Sequence, residues 1–224
     1  MRRWSEVGER IAATSRTSEK THLLADYLVT LDEAALAPAV VFFSGRPFAE
    51  ADGRALGLGW ASLADTVGRV AGVSRADLGA AYDRHSDLGR AVGDVLAARA
   101  PADAGMAAGP GEAPSVPEVA AAFSGIEAAR GPAAKAATLE ALLRRCDPLT
   151  ATYVVKILGG ELRIGLREGL VEAAIGRAFG RPAAAVARAV MLTGDIGEAA
   201  LLARGDRLED ARLRLFHPLR FMLA

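Results

Sequence analysis

The sequence predicts an all-α protein: a multi-helix domain of about a dozen helices, built from two repeats related by a pseudo-two-fold axis. Three observations carry that expectation. Apolar residues recur at helical spacing along most of the chain, and no segment alternates convincingly with a period of two. Alanine and leucine, both strong helix formers, dominate the composition. Finally, the chain can be slid on itself so that two long stretches align without a gap.

Taken in order, Trp4, Val7 and Ile11 share one helical face, followed by Leu24, Tyr27, Leu28 and Leu31. Pro38 is expected in the first turn of a helix carrying Val40, Val41, Phe42 and Phe43, with Ser44-Gly45 as its stop. Trp60, Leu63 and Val67 form the next stripe. Ser74 with Asp77 reads as a capped start, and Asp87 can cap the helix of Leu88, Val92, Val95 and Leu96. Residues 99–114, "RAPADAGMAAGPGEAP", read as a mobile Ala/Pro/Gly linker. Helix then restarts at Ser115-Val116-Pro117-Glu118, a capping box with proline in the first turn. The expected division is one domain over 1–217, with halves at about 4–98 and 117–210 around a 99–116 linker. Residues 218–224 would begin a connection to a further domain.

The repeat rests on two offsets. A slide of 115 aligns residues 11–45 with 126–160, matching Ile11, Lys20, Leu24, Leu28, Asp32 and Gly45 to Ile126, Lys135, Leu139, Leu143, Asp147 and Gly160. The first copy then carries seven extra residues. A slide of 108 aligns 56–97 with 164–205, matching Gly57, Gly68, Gly72, Asp87 and Gly89 to Gly165, Gly176, Gly180, Asp195 and Gly197. Identity is low, but the matched glycines and caps mark helix ends at the same places.

Composition narrows the function classes. The chain has 224 residues, is 51% hydrophobic and carries no net charge, so any anion site must be local. Cys146 is the single cysteine, which excludes an intramolecular disulfide or a cysteine zinc cluster. No run of 18 apolar residues and no signal peptide is present, so a soluble cytoplasmic protein is expected. His22, His85 and His217 are isolated and form no metal pair, and no Gly-x-Ser-x-Gly elbow occurs. Neither a catalytic site nor a metal site is expected, and Cys146 reads as structural.

Two kinds of turn could hold an anion. Thr14-Ser15-Arg16-Thr17 precedes Lys20, and Ala129-Arg130-Gly131-Pro132 precedes Lys135. Each lies at a helix start, where free N–H groups favour an anion, and the hydroxyls, guanidinium and lysines add donors suited to phosphate. Plain N-capping with solvated charges is the alternative. The second kind is "KILGGELRIGLREGL": Gly159-Gly160 stops a helix, Arg163, Gly165 and Arg167 follow, and Glu168 restarts it. In the first copy Ala55 stands where Arg163 does, so the second copy is the stronger contact. Packing alone could also explain this stop. A phosphate-binding loop with Gly-Lys-Ser/Thr is absent, and no strand precedes the turn as a dinucleotide fingerprint would need. Four such turns about a pseudo-dyad would suit the two strands of a duplex across a minor groove.

These residues resemble the N-terminal DNA-binding domain of ATP-dependent DNA ligases of the bacterial, archaeal and eukaryotic type. "IAATSRTSEKTHLLADYL" is similar to the family's first helix-turn-helix, and "YVVKILGGELRIGLREGLVEAAI" to its Gly-Gly-x-Leu-Arg-x-Gly segment. "FHPLRFMLA" resembles the stretch leading into the adenylation domain, although Phe221 stands where proline is usual. The resemblance implies an all-α domain on the minor groove around a nick, acting in DNA replication, repair and recombination. It implies DNA-facing turns at Ser15, Arg16, Gly131, Gly160, Arg163, Gly165 and Arg167, with Lys20 and Lys135 near phosphates. ATP and magnesium are implied for the full-length ligase and none on this chain, and the implied partners are nicked duplex DNA and the ligase catalytic domains in cis. The three lysines, Lys20, Lys135 and Lys156, sit in no Lys-x-Asp-Gly motif, so the chain alone is expected not to ligate and to be either an excised domain or a truncated product. A helical scaffold for a protein partner, marked by an exposed Phe48 or by a bare apolar stripe beside the 99–114 linker, is the competing expectation.

Overall fold

A computed structural model describes residues 1–98 and 113–213. Most of the predicted linker (99–112), His217 and the predicted onward connection (218–224) lie outside the described residues. The fold is all-α. Among the described residues there are twelve α-helices and no strands. They are α1 (Arg2–Ala13), α2 (Thr17–Leu28), α3 (Glu33–Phe43), α4 (Trp60–Ala71), α5 (Arg75–His85) and α6 (Leu88–Ala97). After the linker come α7 (Val116–Ala128), α8 (Pro132–Arg144), α9 (Pro148–Leu158), α10 (Glu168–Phe179), α11 (Ala183–Thr193) and α12 (Ile196–Arg204).

Short polar side chains set the starts. Ser74 and Ser115 each close a capping box with Asp77 and Glu118, and Asp32, Asp87, Asp147 and Asp195 accept from first-turn N–H groups. One expectation is corrected. Pro38 lies inside α3, not in its first turn, because Asp32 caps the helix at Ala35 N and starts it at Glu33. A mid-helix proline removes one backbone bond. Here burial of Leu36 and Ala39 to Phe43 outweighs that loss.

The helices gather into two compact units, each with its own core. One unit comprises Met1–Glu6 and Arg54–Glu161. In it α6 packs on α9 and α5, and α4 packs on α8, which also meets α7. Trp4 and Tyr153, both fully buried, meet edge to face at 5.6 Å. The other comprises Val7–Gly53 and Leu162–Ala224. In it α2 packs on α10, α3 on α12, and α11 on both α10 and α12. Tyr27 and Phe43 are its matching edge-to-face pair, at 6.0 Å.

The aligned residues share backbone geometry. Gly45 and Gly160 have φ of +80° and +69°, and Gly72 and Gly180 have +71° and +67°. The seven extra residues fall in the stretch before α4 that holds a short 3-10 helix, Glu50–Asp52, where Ala51 N–H donates to Gly194 O at 3.1 Å.

Candidate nucleic-acid interface

In the unit containing α2 and α10, the two arginine turns meet. Arg16 is the N-cap of α2, extended, with no side-chain cap. Thr14 Oγ1 accepts from Arg16 N–H at 3.2 Å and donates to Glu19 at 2.7 Å, which fixes the turn. Lys20, one turn into α2, is 6% exposed, and its ammonium donates to Ile164 O at 2.5 Å. That bond ties the start of α2 to the 162–167 turn across 144 residues of sequence.

The turn answers the puzzle of its sequence. Leu162 and Ile164 are buried, while Arg163, Gly165 and Arg167 are exposed. Arg163 takes a left-handed φ of +49° and Gly165 one of +64°, so the backbone reverses tightly and faces the arginines outward. A Cβ on Gly165 would stand 2.6 Å from Lys20 Nζ. Arg167 then caps α10 in an extended conformation with no side-chain bond. Next to the first turn, Arg10, Thr14, Ser15, Arg16 and Glu19 line an open cavity of about 480 Å³. Ser15 and Arg16 are exposed.

The other unit repeats the device. Gly131, with φ +85°, is the N-cap of α8 and is followed by Pro132. Lys135 donates to Leu56 O at 2.5 Å, and a Cβ on Gly57, φ +60°, would lie 3.0 Å from its Nζ. Lys135 is Lys20 plus 115, and Leu56 is Ile164 minus 108. Both offsets, read from sequence, are met in one bond of each unit. Gly159 and Gly160 close α9 and are exposed. Thus Ser15, Arg16, Lys20, Arg163, Gly165 and Arg167 come together in one unit, and Gly131, Lys135 and Gly160 belong to the other.

Lys20 and Lys135, expected near phosphates, each donate one ammonium N–H to a backbone carbonyl. The signal for this was present in the pairing of each lysine with a glycine turn at matched offsets, though not its direction. Burial, with Asp147 nearby, pushes the Cys146 thiol up to about 12, so it is a poor nucleophile at neutral pH. Among the described residues no cluster of His, Cys, Asp or Glu could hold a metal ion, and no helix is long and apolar enough to cross a membrane.

The family described as DNA ligase N terminus matches residues 1–176. The chain belongs to that family. It is 46% identical over 222 residues to a probable DNA ligase of Koribacter versatilis, covering 98% of this chain and 37% of the relative. It is 42% identical over 247 residues to a probable DNA ligase of Opitutus terrae, covering 99% and 24%. A DNA ligase of Archaeoglobus fulgidus is 30% identical over 228 residues, covering 99% and 40%. The chain therefore spans between a quarter and two fifths of the length of these relatives, and in this ligase family it represents the N-terminal part.

Proposed function

We propose that this chain binds duplex DNA without reading its sequence and positions a nick for the catalytic domains of an ATP- and magnesium-dependent ligase. One observation carries the reading: the Lys20–Ile164 bond brings two turns together with Arg16, Arg163 and Arg167 exposed beside amide-rich helix starts. Guanidinium groups and unpaired helix N–H groups are donors matched to phosphate oxygens, and such contacts position a protein on a duplex without specifying bases. The second unit, with Gly131, Lys135 and Gly160, offers backbone amides and fewer charges, since Ala55 stands opposite Arg163 in the alignment. The reading extends to the minor groove, to a role in replication, repair and recombination, and to a nucleoid-associated place in the cytoplasm. The scaffold alternative loses one of its two markers, since Phe48 is 6% exposed.

The test is a salt titration of binding to nicked duplex. Affinity is expected to fall on a log–log plot with a slope of about −0.9 per phosphate contacted. Arg163→Ala should lower that slope by about one contact and weaken binding by about 1–2 kcal/mol for every sequence tried. Salt-independent affinity, or an Arg163→Ala effect confined to thermal stability, overturns the proposal.

A further inference from the structure

The unit that holds α4 to α9 contains a cavity the sequence did not announce. It has a volume of about 350 Å³ and lies between Trp60, Tyr82 and the end of α9 at Gly159 and Glu161. Trp60 is 53% exposed and Tyr82 40%, and their rings meet edge to face at 6.1 Å. On the cavity wall Lys156, 4% exposed, donates to Asp87. An ammonium carries three N–H donors and a carboxylate accepts only, so the wall offers both kinds of partner at one place.

The other unit has the same cavity in closed form. Its lining residues Glu168, Val190 and Ile196 are Trp60, Tyr82 and Leu88 plus 108, and Ser44 and Arg46 are Gly159 and Glu161 minus 115. There the volume is about 20 Å³. The segment of extra residues closes it: Ala49 and Glu50 line it, and Ala51 bonds Gly194 and packs on it. Val41 stands where Lys156 does. So the unit of α4 to α9 lacks the plug and has Trp60, Tyr82 and Lys156 where the other has Glu168, Val190 and Val41.

We propose that the open cavity receives an unpaired nucleobase, stacked on Trp60 and hydrogen-bonded at Lys156 and Asp87. Such a role for the cavity rests on the DNA reading above. Trp60 lies three residues after Gly57, in the turn that Lys135 holds, so the cavity adjoins a proposed phosphate-facing turn. Lys156 and Asp87 cancel in charge and Glu161 also lines the cavity, so the wall has no surplus cation to draw in a phosphate and offers a neutral ring both donors and acceptors. The volume falls in the range of small-molecule sites, and an exposed aromatic face accepts any base.

The chain has two tryptophans, and Trp4 is fully buried, so quenching reports on Trp60. The 224-residue chain is titrated with a fully paired nicked duplex and with the same duplex carrying one unpaired nucleotide at the nick. The unpaired nucleotide should tighten binding about tenfold, about 1.4 kcal/mol, and quench Trp60. Trp60→Ala should erase the tenfold difference and keep the affinity for the paired duplex, while Trp60→Phe should retain most of the difference. Equal affinity for both duplexes without quenching overturns the cavity proposal alone. Quenching by an arginine- or proline-rich peptide but not by the unpaired nucleotide also overturns it, in favour of a protein ligand. Binding to neither duplex overturns the DNA reading and this proposal with it.

Discussion

Lys20 and Gly165 hold each other in place. The ammonium sits on Ile164 O because residue 165 has no side chain, and Gly165 keeps φ at +64° without strain. Gly165→Ala should destabilise the unit by about 1–2 kcal/mol from the left-handed backbone alone, and more from the methyl 2.6 Å from Nζ. Thermal melting reads the loss. Lys20→Met should cost about 1–3 kcal/mol, because the Ile164 carbonyl then has no ammonium and its residue is buried. The two substitutions should not add. With the ammonium gone, the alanine methyl meets less, so the double mutant should be more stable than the sum of the singles predicts. Simple additivity would show that the two residues act independently. This coupling explains what the residues hid. Arg16 and Arg163 were legible as exposed cations, since they stand at helix interruptions. A lysine one turn inside a helix looks equally solvated in the sequence, and only the packing of α2 on α10 turns its ammonium inward.

At the scale of elements, the capped starts of α5, α6 and α7 were legible, and the start and interior of α3 were not. Ser, Thr and Asp caps act through bonds two or three residues away, so sequence contains the whole interaction. Pro38 is different: its tolerance depends on burial against α12, which no local pattern encodes. The start of α7 makes a testable case. Bonds from Ser115 N–H and then Arg145 hold the Glu118 carboxyl down at about 2. Its folded value lies below the unfolded one, so its contribution is present above the ordinary carboxylate range and is lost as pH falls through about 2. The melting temperature of the wild type should therefore exceed that of Glu118→Gln near neutrality, and the gap should close as pH drops from about 4.5 to about 2. A gap that stays constant across that window would mean the ionised carboxylate contributes nothing. The Lys156–Asp87 pair is the other element-level device, tying α9 to the cap of α6. Burial alone would raise the Asp87 carboxyl, but bonds from Lys156 and Arg90 N–H outweigh it and bring it down. Lys156→Met should cost about 3–5 kcal/mol in thermal or denaturant unfolding, because it strands a buried carboxylate.

At the scale of the molecule, each compact unit is assembled from both sequence halves. The unit of Val7–Gly53 and Leu162–Ala224 takes α2 and α3 from the first half and α10, α11 and α12 from the second. The unit of Met1–Glu6 and Arg54–Glu161 takes α4, α5 and α6 from the first and α7, α8 and α9 from the second. The self-alignment predicts two copies of one helix series but not this exchange, because a match of positions does not say which faces meet. The decision lies in which faces are buried. Leu24 and Leu28 of α2 and Val171 and Ile175 of α10 are fully buried, and α2 packs on α10. Separating the halves would return those four side chains to water at about 1.5–3 kcal/mol each, a loss comparable to the whole net stability of a small domain. Fragments 1–98 and 113–224 should therefore show weak, non-cooperative melting when alone. Mixed at equal concentration they should recover the helical signal and a cooperative transition, with a melting temperature that rises with concentration as a bimolecular fold requires. A first-half fragment that melts cooperatively by itself would show that each copy can close on its own α-helices, and the bond from Lys20 to Ile164 would then be a consequence of folding instead of one of its causes.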